Sequence, residues 1–216
     1  MNWNHDATGE NHLGRETDGM SGQELKRVCV YCGSKVGANG LYQETAARLG
    51  RLLAERGLGL VYGGGRVGQM GVLADAALDA GGEVIGVIPE MLAVREVAHQ
   101  TATMEVVDSM HKRKARMVEL ADAFVALPGG YGTFEELMET VTWAQLGIHR
   151  KPVGLLNVAG YFDALAALID HAVAEEFILP EQRDLLFLAD DPESLLDALP
   201  EHRLPIVRQW ITRDET

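Results

Sequence analysis

Short apolar runs rich in branched side chains alternate with longer amphipathic stretches along most of the chain. We predict strands at 28–32, 59–62, 84–88, 123–127 and 153–156, with weaker candidates near 104–107 and 185–188. Apolar residues recur at helical spacing between them, which predicts helices at 41–56, 68–80, 111–121, 133–146, 161–176 and 192–199. Nearly continuous apolar strands that alternate with helices predict a doubly wound, Rossmann-like α/β fold, in which helices flank both faces of a mostly parallel sheet.

This pattern weakens at both ends of the chain. Residues 1–24 are polar and lack the apolar segment of a secretory or transit peptide, so we expect a flexible tail there. Residues 25–200 carry the predicted elements and are expected to form one domain, followed by a second tail at 201–216. No apolar run approaches the roughly 20 residues of a membrane span, so we expect a cytoplasmic protein.

The net charge of the chain is −13, from 19 Lys and Arg residues against 32 Asp and Glu residues. An acidic surface repels nucleic acid and anionic membranes, so the expected partner is a small molecule or another protein. Apolar residues make up 47% of the sequence, and its 24 glycines are spread between the apolar runs. This composition is typical of a globular domain rather than of a disordered chain.

The two cysteines, Cys29 and Cys32, have the spacing of a redox or metal-binding C-x-x-C motif. They fall in a predicted strand, where residues three apart point to opposite faces of the sheet. A metal site would also need further ligands. We therefore predict two buried thiols and no metal site.

Three glycine-bearing turns follow predicted strands, with the sequences YCGSKVG, VYGGGRVGQMG and LPGGYGT. In a parallel sheet the carboxyl ends of the strands share one edge, where ligands of this fold class bind. The second turn opens a helix but is neither the usual dinucleotide fingerprint nor a P-loop. The turn therefore favours binding of a nucleotide-like ligand, and it argues against an enzyme of hydride transfer or phosphoryl transfer. A tight strand-to-helix turn with glycines for packing is the alternative.

The sequence SMHKRKARM, residues 109–117, is a basic cluster in an acidic chain. Its position after a weak strand favours an anion-binding helix start, and a solvated basic face is the alternative. The cluster also matches S-x-H-K, a signature around the cofactor lysine of some pyridoxal phosphate decarboxylases. Those enzymes need a much larger fold than this chain provides, so we reject that interpretation.

The segment ALPGGYGTFEE, residues 126–136, places two carboxylates beside what looks like a phosphate site. Its residues 128–133, which we call the glycine loop, are of a kind that binds phosphate with backbone N–H groups. Thr133 and Glu136 also fit a T-x-x-E capping box, in which Glu136 would fold back onto the start of the helix. That alternative explains Glu136 without chemistry, but it does not explain the glycines before it.

The segments LPGGYGTFEE and MHKRKARM closely resemble PGGxGTxxE and MHxRKxxM, the paired motifs of the "Lonely Guy" (LOG) family. Members of this family are cytokinin riboside 5′-monophosphate phosphoribohydrolases, often misnamed lysine decarboxylases. The likeness covers roughly residues 26–200 and includes YCGS, YGGG, VIGVIP and TWAQLGIHRKPVGLLN. It implies hydrolysis of the N-glycosidic bond of adenine-type nucleoside 5′-monophosphates, AMP among them, to a free base and ribose 5-phosphate. It also implies that no metal or organic cofactor is needed, and a homodimer with both protomers near the pocket.

The resemblance assigns roles to particular residues of this chain. Arg113 and Glu136 match the catalytic pair. The implied substrate-binding residues are these two together with Gly64, Gly65, Glu96, Lys114, Gly130, Tyr131, Gly132, Thr133 and Thr142. One position departs from the family pattern, because Gln69 stands where the motif GGGxxGLMG has leucine.

The implied reaction explains why carboxylates follow a phosphate loop. Breaking the N-glycosidic bond builds positive charge on the ribose, which Glu136 would stabilise while it orients or deprotonates the attacking water. Amides of the glycine loop would hold the 5′-phosphate, and Arg113 would orient Glu136 and contact the ribose or the phosphate. The alternative of a different class is a non-catalytic nucleotide-binding or sensing protein, in which Glu136 only caps a helix.

Overall fold

The computed structural model describes residues 24–93 and 98–205. In this part of the chain, seven strands form one parallel sheet in the order β4-β3-β2-β1-β5-β6-β7. The strands are β1 (Arg27–Tyr31), β2 (Gly59–Tyr62), β3 (Val84–Pro89), β4 (Thr103–Val107), β5 (Ala123–Ala126), β6 (Val153–Leu156) and β7 (Phe187–Ala189). All seven predicted strands are therefore present, and the predicted doubly wound parallel fold is confirmed.

Helices connect successive strands and cover both faces of the sheet. They are α1 (Gly40–Glu55), α2 (Gly68–Asp79), the single turn α3 (Glu90–Leu92), α4 (Met110–Leu120), α5 (Tyr131–Gln145), α6 (Asp163–Ala174) and α7 (Pro192–Ala198). Helix α1 ends as predicted, because Gly57 adopts a φ of 69° and its N–H donates to the Ala54 carbonyl at 3.0 Å. A glycine reaches this left-handed conformation without steric cost.

The core has two apolar layers, one on each face of the sheet. Alternate residues of β1 serve different layers, with Val28 packed against α1, α2 and α7 and Cys29 against α4 and α5. Cys32 belongs to the layer opposite that of Cys29, and both thiols are free and buried. Burial raises the pKa of each thiol, so both stay protonated and unreactive. The prediction of two buried cysteines is confirmed.

The strand order reverses at β1, which lies between β2 and β5. The chain leaves β1 and β5 at the same edge of the sheet and turns to opposite faces, since α1 and α5 pack against different layers of the core. A crevice opens at such a switch point, and ligands of this fold class bind in it. The glycine loop begins directly after β5 and therefore borders this crevice.

The predicted boundary of one helix needs correction. Helix α5 begins at Tyr131 rather than at Thr133, and its N-cap is Gly130, which has extended backbone angles and no side-chain cap. Because Gly130 already accepts the hydrogen bond from Phe134 N–H at 3.0 Å, Thr133 lies inside the first turn and cannot cap the helix. The capping-box alternative for Thr133 and Glu136 is therefore wrong.

The sheet and its helices fall between residues 27 and 198. The predicted tails at 1–24 and 201–216 lie mostly outside the described residues, so the domain boundaries stay predictions. Across residues 24–93 and 98–205, no helix is both long enough and apolar enough to cross a membrane.

Candidate active site

The three predicted glycine turns meet at the switch point. A Cβ built on Gly129 would lie 3.0 Å from the Gly33 backbone nitrogen, and one on Gly68 would lie 2.2 Å from the Ser34 carbonyl carbon. Gly68 also has a φ of 65°, so both its conformation and its surroundings require glycine. The turns after β1, β2 and β5 thus touch through their backbones, as the position of these turns predicted.

Arg113 reaches the switch point from the first turn of α4. Ser109 caps this helix by accepting a hydrogen bond from Lys112 N–H at 3.2 Å. The Arg113 side chain is only 9% exposed, and its Nε donates to the Val87 carbonyl at 3.0 Å. This bond to β3 fixes the direction of the guanidinium, which points to α5.

Glu136 meets Arg113 in a buried ion pair. Arg113 Nη1 donates to Glu136 Oε1 at 2.6 Å, and the Glu136 side chain is 11% exposed. A buried pair of this kind contributes little net stability, because desolvating both charges offsets most of their attraction. A buried carboxylate with a specific charge partner beside a cleft is therefore a candidate functional group.

Burial has the largest influence on the Glu136 carboxyl and raises its pKa above that of an ordinary glutamate. The charge of Arg113 opposes this effect without cancelling it. One turn further along α5, Thr140 donates to the Glu136 carbonyl at 2.8 Å and pairs with the Tyr31 hydroxyl at 2.9 Å. Buried hydrogen bonds through Thr140 therefore connect the backbone of Glu136 to Tyr31 on β1.

Lys114 lies beside this pair but is engaged by protein carboxylates. Its ammonium donates to Glu135 and, at 2.9 Å, to Glu139, and its side chain is 9% exposed. Burial acts to lower the pKa of Lys114, but these two hydrogen bonds outweigh it and the pKa is raised. The interpretation of the cluster as a solvated basic face is therefore wrong for Arg113 and Lys114.

A cavity of about 250 Å³ lies beside the ion pair, and the glycine loop forms part of its wall. It is lined by Cys32, Gly33, Ser34, Met70, Met110, Arg113, Gly130, Tyr131, Gly132, Thr133, Glu135 and Glu136. The start of α5 forms one wall, where the first N–H groups of the helix have no partner within the helix and the helix dipole is positive. One cavity is thus bordered both by helix-start amides that have no partner within α5 and by a carboxylate, which suits a ligand with an anionic group and a centre that becomes positive.

Some predicted site residues lie elsewhere. The Thr142 side chain is exposed and donates to the Met138 carbonyl within α5. A Cβ built on Gly64 would meet Met104 and Ile88, and one built on Gly65 would meet Met70, so side chains pack closely around both glycines. Neither glycine lines the cavity beside the ion pair, and their role in substrate binding stays a prediction. Glu96 lies outside the described residues.

Lys112 lies outside the cavity, which removes the pyridoxal phosphate interpretation of S-x-H-K. Its side chain is 67% exposed and pairs with Asp108 on the surface. Among residues 24–93 and 98–205, no group of three or more His, Cys, Asp or Glu side chains is arranged to hold a metal ion.

The sequence placed Gly63 in a candidate ligand-binding turn but did not indicate that this glycine lies against the guanidinium. A Cβ at this position would lie 2.2 Å from Arg113 Nη2. We expect Gly63→Ala to displace the guanidinium from Glu136 and to lower kcat/KM for base release by about 10²-fold, since a misplacement of about 1 Å can cost that much. Steady-state kinetics check this, with Gly40→Ala as control because a Cβ there meets no atom within 4 Å. Wild-type kinetics in Gly63→Ala would show that the position of Arg113 is unimportant.

The fold has solved relatives of low sequence identity. The molybdenum cofactor carrier protein of Chlamydomonas reinhardtii superposes with a TM-score of 0.62 at 22% identity, over 83% of this chain and 98% of that one. The molybdenum cofactor binding protein of Rippkaea orientalis gives a TM-score of 0.62 at 22% identity, with 83% of this chain and 98% of that chain covered. At this level of identity the likeness shows the fold alone.

Sequence comparison gives much closer relatives. A family model described as "Possible lysine decarboxylase" matches residues 70–199. The cytokinin riboside 5′-monophosphate phosphoribohydrolase LOG of Oryza sativa subsp. japonica is 51% identical over 179 residues, which cover 82% of this chain and 74% of the relative. The cytokinin riboside 5′-monophosphate phosphoribohydrolase LOG7 of Arabidopsis thaliana is 53% identical over 179 residues, which cover 82% of either chain. The resemblance stated from the two motifs is confirmed, and the chain belongs to the LOG family of cytokinin riboside 5′-monophosphate phosphoribohydrolases.

Proposed function

We propose that this protein hydrolyses the N-glycosidic bond of cytokinin riboside 5′-monophosphates, and of AMP, to a free adenine-type base and ribose 5-phosphate. The observation that carries the proposal is the buried Arg113–Glu136 pair beside the open start of α5. A protein that only binds nucleotides has no need to bury a carboxylate next to a phosphate site. The names of relatives at about half identity give independent support.

The phosphate end of the substrate would lie at the glycine loop. Gly130 caps α5, and the amides of Tyr131, Gly132 and Thr133 in its first turn have no partner within the helix. Unpaired amides and the positive end of the helix dipole together bind a phosphate dianion. Held in this way, the 5′-phosphate becomes a handle that positions C1′ of the ribose near Glu136.

The sugar end would lie against Glu136. As the bond from C1′ to the base nitrogen breaks, its electron pair leaves with the base and C1′ gains positive charge. The ionised carboxylate stabilises that charge and accepts a proton from the attacking water, whose oxygen bonds to C1′. Solvent delivers a proton to the departing base nitrogen and takes up the one held by Glu136, which regenerates the carboxylate. Arg113 favours the ionised form of the carboxylate and orients it, since its guanidinium is itself fixed by the Val87 carbonyl.

A base-release assay by chromatography tests the proposal. Purified protein should release base from N6-isopentenyl-AMP and from AMP, and much less from the corresponding nucleosides, because these lack the phosphate handle. A comparison of the two monophosphates establishes which is preferred. Tight AMP binding without any base release would support the nucleotide-binding alternative instead.

Gly132 offers a test of the phosphate end. Gly132 lines the cavity where the phosphate is proposed to bind, and a Cβ at this position would meet no atom of the described residues within 4 Å. Because alanine favours helix over glycine by up to about 1 kcal/mol, Gly132→Ala should keep or raise Tm. We expect it nevertheless to weaken AMP binding about tenfold, since the methyl group keeps the phosphate from the amides. Calorimetry and thermal melts measure the two effects, and unchanged AMP affinity would place the phosphate elsewhere.

The matched control is Gly129→Ala, in the same loop. Its Cβ would lie 2.0 Å from Thr133 Oγ1, so this substitution should lower Tm as well as affinity. Weaker AMP binding with an unchanged or higher Tm, as expected for Gly132→Ala, indicates a blocked cavity. Weaker binding with a lower Tm, as expected for Gly129→Ala, indicates a distorted loop.

We also propose that the protein is a homodimer that pairs through α6 and the segment after it. Leu168 is 62% exposed, Phe177 85% and Leu179 53%, so α6 and the segment after it present large apolar side chains to solvent that a partner could cover. Thr142 lies one turn from Met138, which borders the groove beside α6, so a partner on this face would cover Thr142. Light scattering should give twice the chain mass for the wild type and the chain mass for Phe177→Glu. A monomeric wild type would contradict the proposal.

A further inference from the structure

A second cavity, of about 370 Å³, adjoins the first at the glycine loop. The two cavities share Gly33, Ser34, Gly130 and Tyr131, but the lining of the second includes neither Arg113 nor Glu136. Two of its side chains, Gln69 and Tyr161, donate hydrogen bonds to consecutive carbonyl groups of the glycine loop. Neither bond was predicted from the sequence.

Gln69 connects the loops on either side of the switch point. Its side-chain Nε2 donates to the Pro128 carbonyl at 2.6 Å, and its backbone N–H donates to the Gly33 carbonyl at 3.1 Å. The residue is 2% exposed, and its Oε1 is buried with no hydrogen-bond partner within the described residues. Burying an unpaired amide oxygen costs free energy, which the bond to Pro128 must offset for Gln69 to be kept there.

Tyr161 holds the next carbonyl of the same loop. Its hydroxyl donates to the Gly129 carbonyl, and its ring is fixed by aromatic contacts on three sides. It stacks on Phe134 at a centroid distance of 6.5 Å and meets Tyr42 and Phe162 edge-on at 6.0 and 5.1 Å. A hydroxyl on a ring held in this way is a rigid anchor for the loop.

We propose that Gln69 and Tyr161 are positioning residues for the glycine loop. By binding two of its carbonyl groups, they leave only N–H donors of the loop facing the site proposed for the phosphate. In a trans peptide group the C=O and the N–H point in opposite directions. Holding the carbonyls of Pro128 and Gly129 on the side of the second cavity therefore directs the N–H groups of Gly129 and Gly130 to the other side. Without these two hydrogen bonds, either peptide group could rotate and point its carbonyl oxygen at a bound phosphate. The partial negative charge of that oxygen would repel the phosphate.

This inference rests on the proposed function, because it names two residues that position the loop at which this chain is proposed to hold the 5′-phosphate of its substrate. It predicts an effect restricted to the phosphate. Tyr161→Phe and Gln69→Leu should each weaken binding of ribose 5-phosphate about tenfold, the usual effect of losing one good hydrogen bond, and leave adenosine binding unchanged. The KM for the monophosphate should rise by a similar factor while kcat stays within about twofold.

The experiment measures binding of ribose 5-phosphate and of adenosine to the full chain by calorimetry, together with base-release kinetics and Tm. Tyr42→Phe is the matched control, because it removes a hydroxyl from the wall of the same cavity and leaves both carbonyl hydrogen bonds in place. Gln69→Met provides a second variant if Gln69→Leu does not fold.

Weaker binding of ribose 5-phosphate alone, in both anchor variants and not in Tyr42→Phe, supports the proposal. Wild-type affinity in both variants, equal losses for adenosine and ribose 5-phosphate, or no binding of ribose 5-phosphate by the wild type would each overturn it. Failure of the wild type to release base from any monophosphate would instead refute the proposed reaction. The binding measurements would still report on the anchors in that case.

Discussion

Replacing Glu136 with glutamine is expected to lower kcat for base release by about 10³-fold while AMP still binds. Glutamine keeps the size of the side chain and an oxygen that can accept the bond from Arg113, so the cavity should keep its shape. It removes the negative charge that stabilises the cationic ribose and the group that accepts a proton from water. Single-turnover assays and AMP calorimetry on the same preparation measure the two quantities.

Glu135→Gln is the matched control for this substitution. Glu135 is adjacent in sequence and lines the same cavity, but its side chain is 53% exposed and pairs with Lys114, which also binds Glu139. We expect a change of less than about tenfold for Glu135→Gln, because a partly solvated pair contributes little. Retained activity in Glu136→Gln, or equal losses in the two variants, would contradict the assignment of Glu136 as the catalytic carboxylate.

Replacing Arg113 with methionine is expected to reduce kcat/KM at neutral pH by about 10²-fold or more. Burial raises the pKa of Glu136, and Arg113 is the main influence that holds it down. Without the guanidinium the pKa of the Glu136 carboxyl should rise further, so a smaller fraction of it can act as a base at neutral pH. The acid limb of the pH profile should therefore move to higher pH, and part of the activity should return in alkaline buffer. A uniform loss at all pH values would show that Arg113 acts on the substrate and not through Glu136.

The raised pKa of Glu136 should also make the free energy of unfolding depend on pH. The pKa of Glu136 is higher in the folded protein than in the unfolded chain, so the folded state binds this proton more tightly. Its contribution to the free energy of unfolding is therefore largest at low pH and is lost as pH rises from the ordinary glutamate pKa through the folded value. In Arg113→Met this loss should be deeper and extend to higher pH, which thermal melts across a pH series measure.

Most of the fold could be predicted from the sequence, because each strand is a separate apolar run and each glycine turn follows one. The opposite placement of Cys29 and Cys32 followed from the alternation of side chains along a strand. The start of α5 could not be predicted in the same way. The sequence TFEE satisfies a capping rule locally, but Gly130 takes the cap position and Glu136 is drawn to a guanidinium that comes from another helix.

The candidate site was only partly predictable. The motif resemblance pointed to Arg113 and Glu136 together, and the structure places them in contact at 2.6 Å. It did not indicate that Lys114 is bound by two carboxylates, since its partners lie 21 and 25 residues away in sequence. Gln69 was noticed only as a departure from the family pattern, and its partner Pro128 is 59 residues distant. Contacts of this kind depend on how loops from separate strands approach, which local sequence does not specify.

The loops that meet at the switch point follow strands that are far apart along the chain, and this has a consequence for folding. Gly33, Gln69, Gly129 and Tyr161 come after β1, β2, β5 and β6, so the pocket exists only when both halves of the sheet have joined. Contacts between segments distant in sequence form slowly, because closing the long loops costs entropy before the contacts repay it. On dilution from denaturant, helical signal should therefore return before catalytic activity. The enzyme's own turnover would then report the last stage of its folding.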